Sequence, residues 1–365
     1  MKNGKPHLAT GFVHGLERHS YSASRAVTAG KSRTPADPFI FLNAPARARV
    51  LITAMIVCWL GSRRYNTDGR RPKPDLEPGG GLMAEHTMLI DGHRRTSSSG
   101  YVHGYSETEA GRLTEQAEAM AALIHEGTVY PPGSRVLEAG CGVGGQTARL
   151  LRSSPGAHVV AVDRDQRSLV RARTHIKAMS GHHRVRWCRS DLAALPFPDE
   201  SFEHVFVCFV LEHVANTHRV LTELRRVLHP GGTLTVFEGD NGTLAFHPES
   251  PDACAVIENM ILLQALAGGD AQYGRRLHPA LAGAGFNAIR VEPRLVYADD
   301  ANPTARPFIR DVYNPMIATL QDDAVAVGLG SQCQWKQGTA DLARVAEPGG
   351  TFHLTFFKAT ATKAE

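Results

Sequence analysis

The sequence predicts an α/β fold, with a doubly wound, mostly parallel sheet, an antiparallel final strand and a helical cap inserted before that strand. Three observations support this class. From residue 101 onward, short apolar runs alternate with helical stretches. A glycine-rich turn follows the first apolar run, and a Pro-Gly-Gly break precedes the fifth. Alternating strands and helices are typical of a parallel sheet covered by helices on both faces.

The composition is that of a globular protein, with 42% hydrophobic and 21% charged residues among 365. The formal net charge is +4, but the positive charge is concentrated in residues 1–82, which hold 13 Lys/Arg and 5 Asp/Glu. The remaining chain is net negative. This distribution gives the folded part no general electrostatic footprint for nucleic acid, so we expect no nucleic-acid partner.

Residues 1–82 are rich in Arg, Ser, Pro and Gly and have no sustained period. This composition predicts either a disordered tail or a non-native extension that results from a start codon placed too early. An organelle transit peptide is the other interpretation. The apolar run Val50–Leu60 is too short to span a membrane, so no stable membrane insertion is expected. The six cysteines are isolated and lack metal-ligand spacing. We therefore expect free thiols, no metal and a cytoplasmic location.

The predicted elements begin with a helix over residues 107–125 that has Ser106 as its N-cap. After Pro131-Pro132-Gly133, the predicted order is strand 135–139, helix 146–152, strand 159–162, helix 166–179, strand 185–188, strand 204–209, helix 217–228 and strand 233–237. Farther on, the pattern predicts helices in 251–284, a strand over 286–291, helices in 299–346 and a closing strand over 351–357. We therefore predict one domain over 83–358, with cap insertions at 240–280 and 299–346 and a tail at 359–365.

The turn after the first strand reads Glu138-Ala139-Gly140-Cys141-Gly142-Val143-Gly144-Gly145. Glycines are needed where a strand turns sharply into a helix and where backbone approaches a ligand. We expect the turn to present free N–H groups from the start of the following helix. The spacing Gly140-x-Gly142-x-x-Gly145 also fits the dinucleotide-binding pattern, so the turn alone leaves two cofactor classes open.

Three acids lie at the ends of the first three strands and distinguish these classes. Glu138 would repel a pyrophosphate but suits an ammonium group, directly or through water. Asp163 ends the second strand, where an acid can accept hydrogen bonds from both ribose hydroxyls. Asp191 follows the third strand, where a carboxylate can accept from an adenine amino group. Each of these acids also has a purely structural interpretation: Glu138 as a surface acid, Asp163 as a helix N-cap and Asp191 as a turn residue.

With Ser190-Asp191, Leu195-Pro196-Phe197 and the segment 226–232, these residues resemble the motif series of class I S-adenosylmethionine methyltransferases, which have a Rossmann-like fold. The resemblance covers about residues 101–292 and is closest to the small-molecule branch that includes the ubiquinone/menaquinone-biosynthesis type. It implies S-adenosylmethionine as cofactor and a final antiparallel hairpin. It also implies that Tyr101 and Tyr105 fold over the cofactor. The remaining implied cofactor contacts are Glu138, Gly140, Cys141, Gly142, Gly144, Asp163, Arg164, Asp191, Leu192, Phe209 and Val210.

Methyl transfer from a sulfonium is an in-line displacement that mainly requires orientation and exclusion of water. A general base is needed only if the acceptor must lose a proton. Candidate bases lie in Leu211-Glu212-His213, and in Glu238-Gly239-Asp240 with His247 soon after. Because histidine titrates near neutral pH, His213 and His247 are the leading candidates. Packing of His213 and a loop position for His247 are the structural alternatives.

The predicted function is transfer of a methyl group to the O, N or C atom of a small-molecule acceptor. A membrane-soluble quinone precursor is one such acceptor, given the apolar stretch Met260–Leu263. The sequence leaves two rivals, a nicotinamide-dependent oxidoreductase and a non-catalytic S-adenosylmethionine-binding regulator. A nucleic-acid substrate is disfavoured because the chain has no Asn-Pro-Pro-Tyr-like segment and no Pro-Cys nucleophile after the fourth strand.

Overall fold

A seven-stranded sheet forms the centre of the protein in a computed structural model that describes His103 and residues 107–365. Its strands are β1 (Arg135–Ala139), β2 (His158–Asp163), β3 (Val185–Arg189), β4 (Phe202–Cys208), β5 (Leu228–His247), β6 (Asn287–Ala298) and β7 (Thr351–Thr362). The strand order is β3-β2-β1-β4-β5-β7-β6. The first five strands are parallel, and β7 runs antiparallel to both β5 and β6. The predicted fold class is therefore confirmed.

Helices surround this sheet. They are α1 (Glu107–Ala119), α2 (Ala121–His125), α3 (Gly145–Ser153), α4 (Gln166–Lys177), α5 (Thr217–Val227), α6 (Pro251–Leu266), α7 (Leu277–Gly283), α8 (Asn314–Ala318), α9 (Gln321–Ala326) and α10 (Gln332–Arg344). A 3₁₀ turn spans Tyr273–Arg276, and a π-helical turn spans Phe308–Tyr313. The predicted helix over 107–125 is divided at Met120. None of the helices in the described range is long and apolar enough to cross a membrane.

Side-chain caps determine where three of these helices begin. The side chains of Asp165, Asn216 and Ser250 each accept a hydrogen bond from a backbone N–H in the first turn of α4, α5 and α6. Such caps satisfy donors that have no partner inside the helix. The N-cap of α4 is thus Asp165, and the N-cap interpretation of Asp163 is wrong. Asp163 remains available for another role.

Two hydrophobic clusters lie on the two faces of the sheet. Because strand side chains alternate between faces, Val136 joins one cluster and Leu137 the other. The cluster of Leu137 includes α5 and α7. The cluster of Val136 continues into the C-terminal helices through Met260 and the fully buried Trp335. The cap helices therefore share a core with the sheet.

Two predicted boundaries need correction. β5 continues to His247, so residues 240–247 belong to the sheet and the helical cap begins at Pro251. β7 continues to Thr362, and Ala359 and Ala361 are buried, so residues 359–362 are not a tail. Both strands are longer than the apolar runs from which they were predicted. Pairing between β5 and β7 extends them through polar positions that lack the apolar–polar alternation typical of a strand. The predicted extension 1–82 lies outside the described residues.

Candidate functional site

The turn between β1 and α3 requires glycine for two separate reasons. Gly140 and Gly142 have φ values of +79° and +51°, a region that L side chains rarely adopt. A Cβ atom on Gly140 would also lie 2.5 Å from Cγ2 of Val210, whereas a Cβ on Gly142 would meet no atom within 4 Å. Gly140 is therefore both a conformational and a steric requirement, because the segment after β4 lies directly against it.

This difference predicts unequal effects of alanine at the two positions. Gly140→Ala is expected to lower the free energy of unfolding by about 2–4 kcal/mol, since it combines positive-φ strain with overpacking. Gly142→Ala carries only the strain and is expected to cost about 1 kcal/mol. Urea unfolding of both variants measures the difference. Adding Val210→Ala to Gly140→Ala should recover part of the loss, and equal destabilisation by the two single variants would contradict the steric argument.

The N–H groups of four residues in the turn itself, before α3 begins at Gly145, are paired. Those of Gly140 and Cys141 both donate to the carbonyl of Val162, and that of Gly144 donates to Cys141. The Gly142 N–H donates to Oδ2 of Asp163 at 2.9 Å. The pairing of these four residues makes the turn a rigid wall. The expectation of free donors concerned the start of α3, beyond these four residues.

Glu138 lies beneath this wall and is 2% exposed. Its Oε2 accepts a hydrogen bond from the Thr147 hydroxyl at 2.6 Å, while its buried Oε1 accepts none from any described residue. Burial, together with the charge of Asp163, raises the pKa of Glu138 to about 8, although Thr147 partly offsets the shift. A buried carboxyl oxygen that accepts no hydrogen bond is destabilising, and a cationic or hydrogen-bond-donating ligand group would remove that destabilisation.

Asp163 joins the ends of β2 and the glycine turn. Its Oδ1 accepts from the Asp165 N–H at 2.8 Å, while its Oδ2 is bound to the turn. Burial raises the pKa of Asp163, and these two backbone donors act in the opposite direction. Each carboxylate oxygen can accept a second hydrogen bond. Asp163 is therefore fixed in place and still able to bind ligand hydroxyls.

A cavity of about 450 Å³ opens at the carboxyl ends of β1, β2 and β4. This volume lies within the range of small-molecule and cofactor sites. Asp191 lies on its rim and is exposed, and its Oδ1 accepts from the Ala193 N–H at 2.9 Å. This bond fits the turn interpretation of Asp191. It occupies only one of the two oxygens.

Most of the predicted cofactor residues lie together around this cavity. The lining includes Gly140, Cys141, Gly142, Asp163, Arg164, Asp191, Leu192, Phe209 and Val210. Two predicted residues are not among those that line it. Gly144 is the N-cap of α3 and packs against Ala172, and Glu138 lies behind the turn. Tyr101 and Tyr105 lie outside the described residues.

The segment after β4 forms the opposite wall of the cavity. Phe209 has a φ of +55°, which is an outlier for a bulky residue. The next three residues are held by the carboxylate of Glu238, which accepts the N–H groups of Val210 at 3.0 Å, Leu211 at 2.8 Å and Glu212 at 3.4 Å. Strained backbone persists where its surroundings over-determine it. Glu238 therefore fixes the backbone of residues 210–212 in this wall.

A second, smaller cavity of about 40 Å³ lies on the other side of Phe209. Phe209 and Gln116 line both cavities. Cap residues contribute most of its apolar surface, together with two residues of β7. These lining residues are Met260, Phe308, Val312, Met316, Leu354 and Phe356. Because this volume holds only a few water molecules, the cap has to move before a larger molecule can enter.

Six polar side chains from separate parts of the chain line the second cavity: His103, Gln116, Glu212, Asn241, Gln264 and Tyr313. Tyr313 of the π-helical turn donates its hydroxyl to Oδ1 of Asn241 at 3.0 Å. Glu212 also lines the cavity, and Gln264 donates to its backbone carbonyl at 2.9 Å. Burial and then the charge of Glu238 raise the pKa of Glu212 well above its ordinary value. The buried carboxyl groups of Glu212 and Glu238 therefore disfavour each other's charged forms.

The two predicted catalytic histidines do not meet the requirements of a general base. His213 lines the larger cavity, but burial and the charges of Arg112 and Arg164 lower its pKa to about 3. A base works best with a pKa near the operating pH, so His213 is poorly matched. His247 is exposed at the far end of β5, pairs with Thr351 and lines neither of the two cavities described above. The prediction for His247 is wrong because β5 carries this residue away from the site.

Sequence reasoning missed the contribution of α1 and of the cap. Leu113, Gln116 and Ala117 of α1 line the larger cavity, although their spacing only indicated an amphipathic helix. Glu212 was considered only as part of a segment, since burial was not visible in the sequence. The π-helical turn had no sequence signal. Such turns are frequent at functional sites.

Known proteins resemble this chain mainly in the sheet and the glycine turn. A family model described as "Methyltransferase domain" matches residues 137–236. The ubiquinone/menaquinone biosynthesis C-methyltransferase UbiE of Paracoccus denitrificans is 32% identical over 148 residues, which are 38% of this chain and 59% of that enzyme. Methyltransferase GfsG of Streptomyces halstedii is 28% identical over 59% of this chain and 73% of its own length.

A solved structure of similar architecture is phosphoethanolamine N-methyltransferase 2 of Haemonchus contortus, in complex with phosphomonomethylethanolamine and S-adenosylhomocysteine. It is 18% identical, has a TM-score of 0.47, and the match covers 72% of this chain and 59% of that one. The aligned region thus spans less than two thirds of both the Paracoccus and the Haemonchus enzymes.

S-adenosylmethionine contains an ammonium group, two ribose hydroxyls and an adenine amino group, and the residues present fit each of them. The unpaired Oε1 of Glu138 suits the ammonium group, and the free acceptor capacity of Asp163 and Asp191 suits the nucleoside. The negatively charged pyrophosphate of a dinucleotide would instead be repelled by these same three acids. The sheet order, the site and the matched methyltransferase-domain model are similar to those of class I S-adenosylmethionine-dependent methyltransferases, and they support S-adenosylmethionine as the cofactor.

Proposed function

We propose that this protein transfers the methyl group of S-adenosylmethionine to an apolar small molecule held under the helical cap. The observation that carries this proposal is the pair of cavities on the two sides of Phe209. One contains carboxylates suited to the cofactor, and the other is apolar and covered by the cap. In-line transfer needs direct contact between the methyl carbon and the acceptor atom, so the reactants are proposed to meet beside Phe209, which both cavities share.

The cofactor site is proposed to work as follows. From behind the glycine turn, Oε1 of Glu138 holds the ammonium group, directly or through water. In the cavity lining, Asp163 binds the ribose hydroxyls and Asp191 the adenine amino group, while Cys141, Arg164 and Leu192 complete the lining. The bound cofactor supplies a methyl group that is already activated by its sulfonium. The rigid glycine turn and the held segment after β4 orient the two reactants, and orientation is the main protein contribution to such a transfer.

Exclusion of water is the second contribution of this chain. Phe209 packs edge to face against Phe237 at 5.5 Å and Phe356 at 5.8 Å between ring centroids. Met260 and Met316 close the cap side with flexible apolar side chains that can adapt to a ligand. These groups keep water away from the reacting atoms, which strengthens electrostatic interactions in the site.

The apolar character of the acceptor is supported by the cap and by the relatives. UbiE is named for ubiquinone and menaquinone biosynthesis, and an enzyme of Gibberella zeae that is 34% identical over 107 residues is named sterol 24-C-methyltransferase. Both names refer to apolar compounds. The acceptor cavity here is lined mainly by Met, Phe, Val and Leu side chains, which suits a compound of the same kind.

The test is incubation of the purified full chain with methyl-tritiated S-adenosylmethionine and fractions of a metabolite extract. We expect tritium to pass into an organic-soluble small molecule, and the same protein to bind S-adenosylmethionine but not NAD in calorimetry. Transfer to protein or nucleic acid in place of a small molecule would contradict the proposal. Cofactor binding without any transfer would favour the non-catalytic regulator.

Cofactor binding is also expected to release a proton. The pKa of Glu138 is about 8 in the free protein, so at pH 7 the group is mostly protonated. An ammonium group beside it favours the carboxylate, so binding releases up to one proton and affinity rises up to tenfold per pH unit between pH 6 and 8. Calorimetry at pH 7 in phosphate and Tris, which differ in ionisation enthalpy, measures the release. Glu138→Gln should abolish this contribution, and equal proton release by that variant would assign it to another group.

A further inference from the structure

The lining of the acceptor cavity contains an acid but no positively charged side chain among the described residues. Among its lining residues in the described part of the chain there is no Lys or Arg, and Glu212 is the one acid. The lining histidine is His103, whose pKa is lowered well below its ordinary value by burial and by the charge of Arg112. It is therefore neutral at pH 7. The cavity wall itself carries no positive charge.

Four aromatic rings line the same cavity, those of Phe209, Phe308, Tyr313 and Phe356. Ring centroids are 6.3 Å apart for Phe308 and Phe356 and 6.1 Å apart for Phe308 and Tyr313. The faces of aromatic rings carry negative electrostatic potential and attract cations. A cavity built from several such rings and a carboxyl group is therefore favourable for positive charge and unfavourable for negative charge.

Glu212 is close enough to these rings to act with them. A Cβ atom placed on Gly239 would lie 3.5 Å from the Phe356 ring and 3.9 Å from Oε2 of Glu212. The ring and the carboxyl group are therefore both next to Gly239. The charge of Glu212 also contributes to the raised pKa of Tyr313. The charge of Arg112 lowers the pKa of Glu212, but Arg112 is buried in α1 and is not among the residues that line the cavity.

We propose that the acceptor is an uncharged nucleophile, an amine nitrogen or an alkene carbon, that becomes positively charged in this cavity, with the four rings and Glu212 as its stabilising surroundings. This inference rests on the proposed function and names its substrate class. It disfavours acceptors that react as anions, such as phenolates, enolates and carboxylates. An anion would face ring electrons and an acid without a cation in the cavity wall.

The electron balance of the transfer agrees with this assignment. The electron pair of the acceptor forms the new bond to the methyl carbon, the carbon–sulfur bond breaks and its pair remains on sulfur. The positive charge therefore moves from sulfur to the acceptor, on the far side of Phe209 from the cofactor cavity. Positive charge near Glu212 favours its ionised form, so this carboxyl group becomes the counter-charge when the cation is present.

The test uses three probes of matched shape and different charge on the full chain saturated with S-adenosylhomocysteine. Phenyltrimethylammonium is the cation, tert-butylbenzene the neutral isostere and benzenesulfonate the anion, and calorimetry or competition measures their Kd values. We expect the cation to bind at least tenfold more tightly than the neutral probe, and the anion most weakly. In Glu212→Gln the advantage of the cation should fall below about threefold. Glu203→Gln, an exposed acid beside Arg135, is the matched control and should leave all three affinities unchanged.

If the cavity is too closed for any probe, Met316→Ala enlarges it and the three affinities are compared there. Binding of the neutral or anionic probe that is as tight as, or tighter than, binding of the cation would overturn the inference. Absence of binding of all three probes to both the wild type and Met316→Ala would also overturn it. S-adenosylhomocysteine binding is measured in the same samples. Its loss would count against the proposed function, whereas normal binding with the wrong charge preference would count only against the inference. A series of amines and a series of alkenes tested for tritium transfer then distinguishes the two acceptor types.

Discussion

Replacing Glu138 by Gln is expected to weaken S-adenosylmethionine binding by about 30-fold or more. The buried carboxylate is proposed to hold the ammonium group, and removing one partner of a buried charge pair typically costs 2–5 kcal/mol. Gln keeps the shape and a hydrogen bond with Thr147, so the fold should be retained. Because burial raises the pKa of Glu138, the neutral amide should stabilise the free protein at high pH, where the wild-type carboxylate is ionised. Calorimetry measures the affinity and urea unfolding the stability.

Glu203→Gln is the matched control for this substitution. Glu203 lies near the start of β4, pairs with Arg135 at 2.6 Å and is partly exposed. It lies at the opposite end of the sheet from the glycine turn, so cofactor affinity should be unchanged. An unaltered Kd in Glu138→Gln, with the control also unaltered, would show that Glu138 is only a structural acid and would leave the ammonium group to another residue.

Replacing Glu238 by Ala is expected to be the most destabilising of these substitutions, by about 3–5 kcal/mol. Three backbone N–H groups donate to this buried carboxylate, and all three would lose their acceptor. Leaving a buried donor unsatisfied costs about 1–3 kcal/mol, and hydrogen bonds to charged groups are the stronger kind. Because these donors belong to the wall between the two cavities, we also expect weaker cofactor binding. Urea unfolding and calorimetry measure both effects.

Glu238→Gln separates the loss of acceptors from the loss of charge. The amide oxygen can still accept from Val210 and Leu211, which both donate to the same carboxylate oxygen. We therefore expect Glu238→Gln to lose about half as much stability as Glu238→Ala. If the two variants were equally unstable, the charge rather than the backbone bonds would be the main contribution of Glu238. If neither were destabilised, the segment after β4 would be held by other contacts.

Much of the sheet could be predicted from the sequence because local patterns contain the required information. The strand over 135–139 has the predicted bounds, and the helix over 166–179 differs only by its last two residues. Both elements have a clear apolar period and recognisable ends, a glycine turn in the first case and a polar cap in the second. The elements that were predicted too short, β5 and β7, gain residues by pairing with each other.

The site could be predicted only in part. Residues that belong to the glycine turn or directly follow a strand were found because strand ends in a parallel sheet meet at one edge. Glu212 and the aromatic lining of the second cavity depend on contacts between segments more than 90 residues apart, such as Phe209 with Phe356. No local period indicates such a contact. His247 was misplaced for the same reason, since the length of β5 depends on β7.

The sequence by itself determined the order of strands and helices, the glycine turn and the acids that follow the first three strands, because each depends on neighbouring residues. The tertiary structure alone decided the direction of the pKa shifts of Glu138, Glu212 and His213 and the existence of the second cavity. Ionisation depends on burial and on charges that come from distant elements. A cavity exists only where the helices of the cap and the sheet enclose space together, and that property belongs to the packed molecule.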